Sequence, residues 1–163
     1  MTIRKHRAGE LVIEQSRDLA RVRAMLEEAA MLADGVEVAS SCYLLAFFGD
    51  EPVGVIGVEP RLDAALIRSL YVVEHMRSRG IGAAMVAAAR KAAHTRGARH
   101  LYLFSAAAGA FFQRQGFEQI PVERTMLAMR GAPLAEYYRA HPAELAREVT
   151  WYLDISRDGV IER

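Results

Sequence analysis

Apolar positions along this chain keep two rhythms, one alternating and one close to every third or fourth residue, and the switches between them mark the elements. Leu11-Val12-Ile13-Glu14 reads as a short strand. Ser16 then reads as a helix N-cap, with Asp18 in the first turn and Leu19, Val22, Leu26, Ala29 and Ala30 on one helical stripe. Asp34-Gly35 predicts a stop near Leu32, and the polar stretch from Gly35 to Ser41 fits either a loop or a short helix. Tyr43 to Phe48 and Val53 to Val58 read as strands around a turn at Gly49-Asp50-Glu51-Pro52, and Ala64 to Val72 as a third strand.

An extended, charged run from Glu74 to Arg79 leads into a long helix, Gly80 to Arg96, with Ile81, Met85, Ala88 and Ala92 as its stripe. Arg90, Lys91, His94 and Arg96 gather in its last turns, where cations suit the helix dipole, and Gly97 takes the C′ position. Ala98 to Phe104 reads as a strand, Ala106 to Gln115 as a short helix closed by Gly116, and Phe117 to Met129 as one or two more strands. Strand, helix and strand in this order predict a right-handed crossover and a partly parallel sheet. Pro133 to Arg147 reads as one or two short helices broken at Pro142. Val149, Trp151, Leu153 and Ile155 then share one face of a late strand. Such a strand either folds back on its own domain or pairs with a second copy. We favour the second alternative, so residues 131–163 are expected to be a dimer-forming extension of a single domain spanning 1–163.

Composition narrows the function. With 52% hydrophobic and 25% charged residues the chain can bury a proper core, and a net charge of +1 supplies no global field for nucleic acid or an anionic membrane. No basic stripe is interleaved with aromatic residues, so a nucleic-acid partner is not expected. The single cysteine, Cys42, sits in an apolar run and reads as a core residue; it excludes an internal disulfide and fits a cytoplasmic setting. The basic start Met1 to Arg7 is followed by no apolar segment, and the apolar runs fall far short of the roughly 20 residues that span a bilayer. The histidines His6, His75, His94, His100 and His141 lack metal-ligand spacing, so no metal is expected.

One segment concentrates the chemistry: Leu70-Tyr71-Val72-Val73-Glu74-His75-Met76-Arg77-Ser78-Arg79-Gly80-Ile81-Gly82. Here a strand runs into a bend and glycines open a helix. The first backbone N–H groups of a helix lack intrahelical acceptors, and the dipole makes that end positive, so a pyrophosphate supplies both the acceptors and the charge. Glycine at 80 and 82 removes Cβ atoms from the approach, and Arg77 and Arg79 add charge-assisted bonds. The plainer alternative is a glycine-rich turn with surface arginines. The spacing matches neither G-x-x-x-x-G-K-[ST] nor G-x-G-x-x-G.

Val72 followed by Arg77-Ser78-Arg79-Gly80-Ile81-Gly82 resembles the R/Q-x-x-G-x-G/A signature of the GNAT N-acetyltransferases. Leu101-Tyr102-Leu103 followed by Phe111-Phe112-Gln113-Arg114-Gln115-Gly116-Phe117 is similar to the same superfamily's F-Y-x-x-x-G-F segment. The resemblance covers about residues 10 to 130, and the later segments are similar to small bacterial amino-acid and arsenic-resistance acetyltransferases. It implies an α/β (α+β) fold with a mixed, splayed central sheet flanked by helices, here with an extra C-terminal helix and strand. It also implies acetyl-CoA as co-substrate, with Leu70, Tyr71, Val72, Arg77, Ser78, Arg79, Gly80, Ile81, Gly82, Ala83 and Phe112 in its binding site. The pantetheine arm would then lie beside Leu70 to Val72 like an added strand.

The implied activity is direct transfer of an acetyl group to a primary amine of a small, amino-acid-like molecule. An amine of pKa about 10.4 must lose a proton, and Glu59, at a strand end expected to face the cleft, is the candidate base, with Glu74 second. A thiol of pKa about 8.5 leaves with modest help. Many relatives have a tyrosine where Phe112 stands, and Phe112 has no proton to give, so the thiolate leaves unassisted or Tyr71, Tyr102, Ser105 or water substitutes. Arg68, mid-strand among apolar residues, needs a partner: a substrate carboxylate or an internal acid. Two rival readings stand beside this one. The first is a catalytically weak acyl-CoA-binding regulatory module, and the second a purely interacting protein built around the Trp151 strand.

Overall fold

A computed structural model describes residues 6–160, so part of the basic N-terminal run lies outside it. Seven strands in the order β1-β2-β3-β4-β5-β7-β6 and six α-helices make up the described residues, an α/β architecture with a mostly antiparallel sheet. The chain falls into two compact units, one running to Gly57 and resuming over Ser69–Ala89, the other comprising Val58–Arg68 and everything from Arg90 on.

In the first unit, β1 (Leu11–Ser16) runs antiparallel to β2 (Cys42–Phe48), with Leu11 opposite Phe48 and Ser16 opposite Tyr43. Ser16 is thus the last strand residue and not the helix cap. Helix α1 (Leu19–Glu28) is capped by Asp18, whose Oδ1 accepts from the Arg21 N–H at 3.1 Å, while the Ser16 Oγ accepts from the Asp18 N–H. The helix stops at Glu28, four residues before the expected end, because Ala30 turns to φ 54. Turns fill the region from Asp34 to Ser40. Val22, Met25 and Leu26 of α1 close a core with Val36, Tyr43, Leu45, Phe47 and Val55, and Tyr71 packs at its margin. The turn after β2 is only Gly49-Asp50, so Pro52 lies inside β3 (Glu51–Arg61) and not in the turn.

Strand β4 (Ala64–Val72) has the bounds expected of it. The charged run after it is not extended throughout: Glu74–Met76 is one 3-10 turn that buries Met76. Helix α2 (Ile81–Thr95) buries Ile81, Met85, Val86, Ala89 and Ala93. The expected stripe therefore slips by one residue at its far end, because the wide apolar face of a 3.6-residue helix takes in Val86 and follows it to Ala89 and Ala93. Gly97, at φ 90, ends the helix as expected.

In the second unit β5 (His100–Phe104) runs parallel to β4 from Ala64 opposite His100 to Ile67 opposite Leu103. Helix α3 (Gly109–Arg114) follows, shorter than expected, with Gly116 at φ 93. Only β6 (Glu118–Ile120) is strand in the stretch to Met129. Pro121 brings no N–H to a ladder, and Val122, Thr125, Met126 and Met129 at helical spacing form and pack α4 (Val122–Ala128) instead. Helices α5 (Pro133–Ala140) and α6 (Pro142–Leu145) break at Pro142. Strand β7 (Thr150–Asp154) then pairs with β5 on one side and β6 on the other. Both its edges are filled by its own chain, so it takes the folded-back alternative, and the expected pairing with a second copy through this strand is closed. Residues between β6 and β7 are accordingly a helical insertion between neighbouring strands.

Candidate functional site

The end of β4 presents its main chain in alternation. The Val73 N–H donates to the Val53 carbonyl at 2.9 Å, and the Tyr71 carbonyl faces Gly54, 3.1 Å from where a Cβ there would stand. Residues 71 and 73 therefore address β3, and the N–H and C=O of Leu70 and Val72 point the opposite way. Leu70 to Val72 also lie past the last β4–β5 pair, Ile67 with Leu103. Ser69, just before them, holds φ 60. A serine in the left-handed region is uncommon, and nothing in the sequence signals it.

The bend after β4 places two more residues in that region, Ser78 at φ 62 and Gly80 at φ 78. Residues 77 to 80 are exposed. Beyond its own atoms and those of its chain neighbours, nothing lies within 4 Å of where a Gly80 side chain would begin. The first helical bond of α2 runs from the Ala84 N–H to the Gly80 carbonyl at 3.1 Å, which leaves the N–H groups of Ile81, Gly82 and Ala83 without intrahelical acceptors. Ile81 buries its side chain, so it can offer a ligand its main chain only. Arg79 is exposed beside the loop, and Arg77, also exposed, lies back along the end of β4. The Arg77 Nε donates to the Val72 carbonyl at 2.8 Å, and its guanidinium lies 5.5 Å from the centre of the Tyr71 ring. Amide hydrogens without helical acceptors, an open approach at Gly80 and two nearby guanidinium groups suit a diphosphate.

Glu59 and Arg68, in the other unit, are bonded to each other at 2.8 Å, both side chains 1% exposed. The second Glu59 oxygen accepts from the Leu134 N–H at 2.9 Å. Arg68 thus takes the internal acid among its two expected partners, and each Glu59 oxygen already holds a donor. The Leu134 bond was out of reach of sequence reasoning, since it joins positions 75 apart. Phe112 is buried with edge-to-face contacts to Phe111 and Phe117. Tyr102 is buried against Tyr152, and burial raises its hydroxyl above the usual phenol range. The Ser105 Oγ accepts from the Ala108 N–H. The second candidate base, Glu74, is an exposed residue opening the 3-10 turn.

A helix opened by glycine thus follows a strand whose last residues lie past its pairing with β5. Residues 39–119 match the model of the acetyltransferase (GNAT) domain. Over those residues, about half of the chain, it belongs to the GNAT acetyltransferase domain family. No curated protein matches it significantly in sequence. Among solved structures it is similar to N-acetylglutamate synthase from Neisseria gonorrhoeae in complex with coenzyme A and N-acetyl-glutamate, at 17% identity and TM-score 0.67 over 91% of this chain. The chain spans only 36% of that synthase's length. A Mycobacterium tuberculosis protein in complex with CoA is similar at 16% identity and TM-score 0.66, over 88% of this chain and 98% of that one. A GNAT-family acetyltransferase from Staphylococcus aureus is similar at 13% identity and TM-score 0.65, over 90% of this chain and 99% of that one. Among the described residues no helix is long and apolar enough to cross a membrane.

Proposed function

We propose that this chain transfers an acetyl group from acetyl-CoA directly to the primary amine of a small, amino-acid-like molecule. The observation that carries the reading is the start of α2. The amide hydrogens of Ile81, Gly82 and Ala83 are free of helical acceptors, and apart from its chain neighbours nothing stands within 4 Å of the Gly80 Cβ position. In this reading the pyrophosphate sits on those amides, and the pantetheine arm pairs with Leu70 and Val72, whose main-chain groups face away from β3. The amine nitrogen bonds to the thioester carbonyl carbon as the C–S bond breaks. The thiolate leaves without a phenol, since Phe112 carries none, at a thiol pKa of about 8.5. The amine gives its proton to solvent. We read Glu59 and Arg68 as a support for the inserted helices and not as acid-base machinery. An amino-acid acceptor is favoured by the likeness to a structure holding N-acetyl-glutamate.

Calorimetric titration with CoA tests the donor half. Gly80→Glu places a carboxylate where the phosphate belongs, and binding should be lost; Gly80→Ala carries the same backbone strain without the charge and should retain most of the affinity. Unchanged affinity in Gly80→Glu overturns the reading. Thiol release from acetyl-CoA over a panel of amines tests the acceptor half. Binding without release over the whole panel leaves the acyl-CoA-binding regulatory module.

A further inference from the structure

The Arg77 side chain occupies a place that the donor site needs. Its Nε holds the Val72 carbonyl at 2.8 Å and its guanidinium lies over Tyr71, so an exposed arginine is tethered at two points along the last residues of β4. That carbonyl faces away from β3, on the edge where an added strand would seek its acceptor. A guanidinium carries five donors, and this bond uses one of them.

We infer that Arg77 is a positioning residue that couples the two halves of the donor site. Without ligand it stands in for the pantetheine arm on the Val72 carbonyl; when a diphosphate arrives at the start of α2, Arg77 turns to it and frees that carbonyl for the arm's amide. The inference rests on the acyl-CoA reading of the loop and goes beyond it. It makes the site's two halves cooperative: the diphosphate end prepares the strand edge for the thioester end. Exchange of one guanidinium bond for a charge-assisted bond to phosphate supplies the drive. Reciprocity requires the arm, once bound, to favour the diphosphate by the same factor.

Two fragments of the donor separate the halves. S-acetylpantetheine carries the arm without the diphosphate, and 3′-phosphoadenosine 5′-diphosphate carries the diphosphate without the arm. In the unaltered protein, a saturating amount of the nucleotide should raise the affinity for S-acetylpantetheine about 3- to 10-fold, the worth of one hydrogen bond, as read by amide NMR shifts. In Arg77→Ala, S-acetylpantetheine should bind more tightly from the outset, the nucleotide more weakly, and the coupling should vanish. Arg77→Lys keeps the charge but not the planar fork; the nucleotide should bind nearly as before with most of the coupling lost. Thermal unfolding of both variants confirms that they are folded. Equal coupling in the unaltered protein and Arg77→Ala, or none in the unaltered protein while CoA binds, overturns the role of Arg77 alone. If CoA itself fails to bind the unaltered protein, the reading of the loop falls and this inference with it.

Discussion

Glu59 and Arg68 bond to each other at 2.8 Å with side chains 1% exposed, and the remaining Glu59 oxygen takes the Leu134 N–H. Leu134 is in the first turn of α5, whose N-cap position is Ala132 and has no side-chain cap. A carboxylate from β3 therefore caps a helix inserted far along the chain and neutralises an arginine from β4 in the same bond set. A buried charge left alone is expensive, whereas an apolar pair of similar volume is tolerated.

Glu59→Ala should accordingly cost about 3–5 kcal/mol in urea unfolding, because it takes the carboxylate from the buried Arg68 and uncaps α5. The double change Glu59→Leu with Arg68→Met should recover much of that loss. Glu59→Gln keeps an acceptor for Leu134, and where it remains folded its kcat should stay within a few-fold of the original. A collapse of kcat at unchanged stability would reinstate Glu59 as the base.

Gly54 is where β3 meets α2. A Cβ there would stand 2.6 Å from the Met85 sulfur and 3.1 Å from the Tyr71 carbonyl. Met85 is fully buried and has little room to retreat. Gly54→Ala should destabilise by about 1–3 kcal/mol through overpacking, and shortening the neighbour with Met85→Val should relieve part of it. The same change pushes on the helix whose start is the proposed phosphate site, so CoA affinity should fall in Gly54→Ala and return in the double variant. Calorimetry with CoA on both proteins checks this.

How much of this was legible in the sequence depends on range. Strand β4 is readable end to end because Ile67, Leu70 and Val72 favour a strand and the charged residues after it stop the run. The loop at Gly80 is readable because glycine and arginine types at close spacing state their own electrostatics. The partner of Arg68 is not readable beyond the need for an acid, since Glu59 meets it, and Leu134 meets Glu59, only through the fold. Helix α4 is missed for a local reason: seven residues with mixed β-branched and apolar character give too short a window to tell a strand from a helix. The Trp151 strand shows its apolar face clearly, but its partners, β5 and β6, are set by topology.

Trp151 offers an optical test, since it is the sole tryptophan of the chain. Its ring lies 2.7 Å from where a Gly109 side chain would begin, and its Nε1 donates to the Ser105 carbonyl at 2.9 Å. An indole is rigid and cannot yield as a long flexible side chain would. Gly109→Ala should therefore displace the ring, lengthen the Ser105 bond and shift the fluorescence maximum to the red, with a stability loss of about 1–3 kcal/mol. An unchanged spectrum would show that α3 moves instead of the ring.

Asp158 gives the pH dependence. Its two oxygens meet the Arg90 Nε and Nη2 at 2.5 and 2.6 Å, tying the C-terminal turn to α2. The hydrogen bond from Arg90 is the main reason its carboxyl titrates below the usual range; His94 adds to the effect and Asp154 opposes it. A lowered carboxyl pKa contributes stability that is fully present above the unfolded value, near 3.9, and is lost as pH falls through the folded value. The pair is about a third exposed on the arginine side and a quarter on the aspartate side, so screening holds its worth to about 1 kcal/mol. Asp158→Asn should thus unfold at lower urea than the original protein at pH 7, and the gap should close below about pH 3.9. A gap that persists undiminished in acid would mean that Asp158 acts through packing and not through its charge.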